Sequence, residues 1–159
     1  MMKLGMGVFL FMVFVAHPTD RVLASSSPHD RFAPGAPWLD EGGVAINAHA
    51  GGVLHYDGVY YWFGQHMTEG RGGSASHVGV RMYRSRDLYN WRDQGVVLKV
   101  SEDPESDIVA GCRIERPKVL FNEDTGKFVM WFHLELKSQA YNSARSGIAI
   151  ADKVTGPYT

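Results

Sequence analysis

The sequence predicts an all-β fold built from repeats of a four-stranded antiparallel meander, the blade unit of a β-propeller, with about two blades present. Two observations carry this. From Gly52 onward the chain consists of short apolar runs separated by turn signals. The same order of runs and turns then returns at offsets between 66 and 69 residues.

The N-terminus sets the expected compartment. Met1 to Lys3 form a short positive region, and Leu4 to Ala16 is an uncharged run rich in Phe, Val, Met and Leu. A spanning helix needs about 20 apolar residues, and this run ends at His17-Pro18-Thr19-Asp20. Val22-Leu23-Ala24 supplies the small residues of a cleavage site before Ser25-Ser26-Ser27. Residues 1–24 are therefore expected to be a signal peptide and the protein to be secreted or extracytoplasmic, with an uncleaved signal anchor in a secretory organelle as the alternative.

Residues 25–40 hold three prolines and a glycine among small and polar residues, the composition of an extended lead-in. The first strand is expected at Val53 to Tyr56 and the second at Val59 to Phe63. Between them, Asp57-Gly58 marks a hairpin turn whose central residues need positive φ. A third strand follows at Val78 to Ser85 and, after the turn 87–91, a fourth at Gly95 to Val100. Gly70 to Ser76 reads as a loop.

The second blade is expected from a strand at Lys118 to Phe121, a turn at 122–126, a long aromatic strand at Lys127 to Leu134 and another at Gly147 to Ala151. Val53-Leu54 aligns with Val119-Leu120, Trp62-Phe63 with Trp131-Phe132, and Gly79-Val80 with Gly147-Ile148. Propellers close with about four to eight blades. The expectation is thus an incomplete propeller over residues 41–159, cut within the last strand of its second blade, rather than a two-blade unit that closes by oligomerising.

With a formal net charge of −1, the chain carries no electrostatic pull toward nucleic acid or anionic membranes, and neither is expected as a partner. Cys112 is the only cysteine, so no internal disulfide forms; it is read as buried. No cofactor is expected, and no metal, nucleotide or serine-hydrolase motif is present.

Three stretches carry a family resemblance. They are Ile46 to Gly52 running through the hairpin into Gly64-Gln65-His66, then Tyr83-Arg84-Ser85-Arg86-Asp87-Leu88-Tyr89-Asn90-Trp91, and then Ile114 to Asn122 followed by Trp131-Phe132-His133, Tyr141 and Gly147. In this order the chain resembles glycoside hydrolase family 43, the five-bladed β-propeller glycosidases, and within it the exo-β-1,3-galactanase-like branch. The resemblance implies an inverting hydrolase acting on plant-type polysaccharide side chains, with an oligosaccharide or polysaccharide as partner. Inversion needs an acid and a base about 6.5–9.5 Å apart.

Glu115 is the candidate catalytic carboxylate. It is expected just before the first strand of the second blade, among Arg113, Arg116 and Lys118, an environment suited to orienting substrate or tuning a partner. The resemblance implies that the general acid lies in a third blade, and that the usual first-blade aspartate is absent from Asn47-Ala48-His49. Asp40 and Asp57 belong to the lead-in and the hairpin turn. Substrate-binding candidates are Asn47, His49, Gln65, where the family more often has Glu, His133 and Tyr141; Trp131 and Phe132 are expected to pack between blades. Arabinan and xylan side chains also suit such a funnel. The alternatives are a non-catalytic carbohydrate-binding propeller and an inactive remnant, and the chain alone is expected to be inactive and prone to aggregate.

Overall fold

The computed structural model describes residues 29–68, 72 and 76–159. The expected signal peptide, the first residues of the lead-in and most of the 70–76 loop lie outside these. Among the described residues there are seven strands and no α-helix, and no helix long and apolar enough to cross a membrane.

The first sheet is a meander of β1 (His49–Tyr56), β2 (Val59–Met67), β3 (His77–Ser85) and β4 (Arg92–Lys99), paired in sequence order. Asp57 and Gly58 turn the β1–β2 hairpin at φ 49° and 71°, as the Asp-Gly pair predicts. The second sheet is β5 (Arg113–Asn122), β6 (Lys127–Glu135) and β7 (Arg145–Ala151). Beyond β7, Ile150 and Thr159 exchange both backbone hydrogen bonds, at 2.8 and 3.1 Å, so Thr159 stands where a fourth antiparallel strand pairs. These are two neighbouring propeller blades, with inner strands β1 and β5 side by side.

Their shared core follows from period-2 alternation. Phe63, Val80, Met82 and Leu98 of the first sheet meet Ile114, Met130, Phe132 and Leu134 of the second. Cys112 is buried here, and burial pushes its thiol up to about 11, which leaves it unreactive. The outer face of the first sheet is covered by the lead-in: Trp38 packs on Trp62 and Trp91 with ring centroids 5.6 and 6.4 Å apart. Asp40 is buried as the anchor of this segment, where its Oδ1 accepts from the Gly42 and Val44 amides at 2.9 Å.

Most strands begin or end beyond their expected limits. β1 starts at His49 and β5 at Arg113 because each carries a bulge, between His49 and Gly52 and between Glu115 and Lys118, that breaks the alternation a sequence shows. Glu115 therefore lies within β5 rather than ahead of it. Phe132 is buried between the sheets, but Trp131 is not: it shares with Ile148, Leu120 and Ile150 an outward face on which all four are about half exposed or more, Leu120 at 62%. Such a contiguous apolar face drives association. The 159-residue chain alone is expected to self-associate, and Leu120→Lys with Ile148→Lys to return it toward monomer, as sedimentation velocity measures; a wild-type chain that sediments as a monomer contradicts this.

The turn 85–91 is organised by one carboxylate. Asp87 Oδ1 accepts from the Tyr89 and Asn90 amides at 2.9 and 2.8 Å and from Ser85 Oγ at 3.0 Å, while Oδ2 accepts from Asn90 Nδ2 at 2.8 Å. Slight burial opposes ionisation, but these donors outweigh it and hold the group at about 2 against its usual 3.8. A depressed folded pKa stabilises above the unfolded value, and that contribution is lost as pH falls through the folded one. Asp87→Ala is expected to cost about 1–2 kcal/mol at neutral pH. The gap between wild type and variant in urea unfolding should shrink as pH falls from 3.8 to about 2.

Candidate functional site

The N-terminal end of β5 is shaped by its bulge. Pro117 has no amide to offer a ladder, and Arg116 adopts φ 54°, a left-handed conformation that costs an L-residue about 1–2 kcal/mol. The extra residue sets the register so that Glu115 pairs with His133 and Arg113 with Glu135. Glu115 is 8% exposed.

Tyr141, on the loop between β6 and β7, donates from its hydroxyl to Glu115 Oε1 at 2.8 Å. Its ring is held on two further sides. The Arg113 guanidinium carbon lies 4.4 Å from the ring centroid, and the His133 ring stacks at 6.2 Å and 17°. Three residues picked from the sequence, Glu115, His133 and Tyr141, thus form one group, with Arg113 as an added cation. Of the other two expected cations, Arg116 is exposed, and Lys118 Nζ donates to the Gly51 carbonyl at 2.5 Å and ties β5 to β1.

The first sheet contributes the adjoining rim. His49, exposed, pairs across the β1–β2 ladder with Gln65. Gln65 Nε2 reaches only Met67 Sδ at 3.8 Å, and its Oε1 is buried with no hydrogen-bond partner among the described residues. Asn47 is drawn away from the group: its Nδ2 donates to the Met67 carbonyl at 2.7 Å and its Oδ1 accepts from the Met67 amide at 3.2 Å. Both polar atoms of its side chain clip the lead-in to β2, so the geometry gives it a structural role in place of the expected sugar contact.

Two residues that sequence reading passed over belong to the site. His77 opens β3, is buried, and bonds the Ile114 backbone within electrostatic reach of Glu115, Arg113 and His49. Burial lowers its pKa, with Glu115 working the other way, so the ring beside Glu115 is neutral near pH 7. Glu135 closes β6 with 1% exposure; its Oε1 lies 2.8 Å from His133 Nε2. Its Oε2 accepts from the Ser143 amide at 3.0 Å, Ser143 Oγ at 2.7 Å and the Ala144 amide at 3.1 Å. Burial works to raise the Glu135 pKa, but these bonds and His133 outweigh it and hold the carboxyl below the ordinary value. A histidine after a Gly/Ser loop and a glutamate ending a strand give no signal of this placement.

The arrangement provides one buried carboxylate with a fixed tyrosine donor, flanked by imidazole, amide and guanidinium groups at one end of the inner strands. That is the equipment of a sugar subsite: an anion to take hydroxyl protons, donors of fixed direction and ring faces. Another polar recess, where Arg81 forms two bonds of 2.8 and 2.5 Å to Asp93 beside His66, lies on the outer face of the first sheet.

No protein-family model and no curated protein sequence matches the chain. Solved structures do. A family 43 β-1,3-galactosidase solved with galactodeoxynojirimycin is 50% identical at a TM-score of 0.75, covering 80% of this chain and 36% of that one. An exo-β-1,3-galactanase from Clostridium thermocellum is 39% identical at 0.68, covering 79% of this chain and 25% of that one. An exo-β-1,3-galactanase from Phanerochaete chrysosporium, solved with β-1,3-galactotriose, is 36% identical at 0.70, covering 79% and 28%. The chain spans about a quarter to a third of the solved proteins it matches.

Proposed function

We propose, on the premise that this chain is a glycoside hydrolase family 43 sequence of the exo-β-1,3-galactanase-like branch, that it forms two blades of a propeller that removes galactose from the ends of β-1,3-galactan. The observation that carries the reading is the bond from Tyr141 to the buried Glu115 at the open end of the inner strands. The similar proteins solved with β-1,3-galactotriose, galactose and galactodeoxynojirimycin support galactose as the sugar.

In this reading Glu115 accepts hydrogen bonds from hydroxyls of the terminal galactose, and Tyr141 keeps the carboxylate aimed at them. Hydrolysis with inversion needs a second carboxylate about 6.5–9.5 Å from its partner to leave room for water. Glu135 is no candidate for it, being buried and bonded to its own loop. The protonating acid and the base that activates water are assigned to blades that pack beyond the exposed Leu120, Trp131, Ile148 and Ile150 face. Secretion, from the uncharged run Leu4 to Ala16, is part of the proposal and suits an extracellular polysaccharide.

The test is incubation of the full-length protein with β-1,3-galactan, following released sugar by chromatography and its anomeric form by NMR. Galactose appearing first as the α-anomer supports the reading. Tight binding without release makes the protein a carbohydrate-binding propeller, and no interaction with galactan overturns the proposal.

A further inference from the structure

We infer that Glu135 is a positioning residue that holds Tyr141 against Glu115 through the β6–β7 loop, an inference that rests on the galactan reading above. Tyr141 donates its hydroxyl hydrogen to the Glu115 carboxylate, and the loop that bears it is not shaped by local preference. Ser138, Ala140 and Ala144 all have positive φ, between 41° and 64°, which L-residues adopt only when something else holds them.

The holding group is Glu135. Its Oε2 gathers the Ser143 amide, the Ser143 hydroxyl and the Ala144 amide, and Ser143 Oγ in turn accepts from the Leu136 amide at 2.8 Å. The end of the loop is thereby fastened to the end of β6, two residues after Tyr141. The other carboxylate oxygen stands 2.8 Å from His133 Nε2, and the His133 ring is the one stacked on Tyr141. One buried anion therefore fixes both the loop carrying the tyrosine and the ring beside it. A carboxylate this buried needs partners for its charge, and here Oε2 finds three donors in the β6–β7 loop while Oε1 has the His133 ring nitrogen within ion-pair distance.

A glutamate that merely stabilised the β6–β7 connection would leave the Tyr141 contribution intact when replaced. The experiment compares Glu135→Gln, Tyr141→Phe and the double variant in the full-length protein, by hydrogen exchange at residues 141–144 and by kcat and KM for β-1,3-galactotriose. Glu135→Gln is expected to speed exchange at Ser143 and Ala144 and to weaken kcat/KM about tenfold, the size of one charge-assisted hydrogen bond. The double variant should be no worse than Glu135→Gln alone, because the tyrosine is already displaced. Ser143→Ala, which removes a donor without touching the buried charge, should move both readouts the same way by less, and it serves if Glu135→Gln does not fold. Unchanged exchange, or losses that multiply in the double variant, overturns the inference. If the full-length protein acts on no galactan, the galactan reading fails separately, and exchange at Tyr141 through Ala144 still decides the role of Glu135.

Discussion

Glu115→Gln is expected to lower galactose release from β-1,3-galactan by the full-length protein about 100-fold or more, while its thermal stability changes little. The amide keeps the shape of the carboxyl group and an oxygen that can accept the Tyr141 hydrogen bond, so the bulge and the β5–β6 register should survive. What is lost is the negative charge in a site where Glu115 is 8% exposed and screening by water is weak. Removing one pre-aimed electrostatic group from such a site costs about 100- to 1,000-fold in turnover. Tyr141→Phe leaves the charge and removes only its donor, so about a tenfold loss is expected. Steady-state kinetics on β-1,3-galactotriose check both, and a Glu115→Gln enzyme within about threefold of wild type removes Glu115 from the mechanism.

Gly64→Ala is expected to be among the most damaging small substitutions in the first blade, at about 3 kcal/mol, the upper end for overpacking. A methyl group at Gly64 would lie 2.2 Å from the Ala48 carbonyl carbon and 2.4 Å from its Cα and oxygen, all backbone atoms with no rotamer to relieve the clash. The start of β1 presses on β2 from the other side as well, since a Cβ at Gly51 would sit 2.0 Å from the Phe63 carbonyl oxygen. These contacts let the segment carrying His49 approach Gln65. The melting temperature should fall by roughly 10 °C, and sugar affinity should weaken because His49 is displaced. A melting temperature within about 2 °C of wild type would show that the segment yields freely.

The fold was legible where local chemistry and position agree. Asp57-Gly58 dictates its hairpin, and the aligned Phe63 and Phe132 are both core residues between the two sheets. Their neighbours Trp62 and Trp131 occupy matching repeat positions yet differ in surroundings. Trp38 of the lead-in lies against the first, whereas the second is 47% exposed. Repeat alignment gives the strand position but not what covers it.

At the site, Glu115, His133 and Tyr141 were found through motif order, and their convergence needed the β5 bulge that no period-2 pattern shows. Asn47 lies in the same motif but serves Met67 instead. Glu135 was invisible because a glutamate two and three residues before Lys137 and Ser138 reads as a solvated strand end, and only the return of Ser143 and Ala144 across the loop buries it.

The most direct measurement is a crystal structure of the full-length protein with galactose bound. The account predicts the sugar at the N-terminal end of β5, with a hydroxyl within hydrogen-bond distance of Glu115 Oε2 and the Tyr141 bond to Oε1 retained. Galactose bound elsewhere, with no contact to Glu115 or Tyr141, would contradict it.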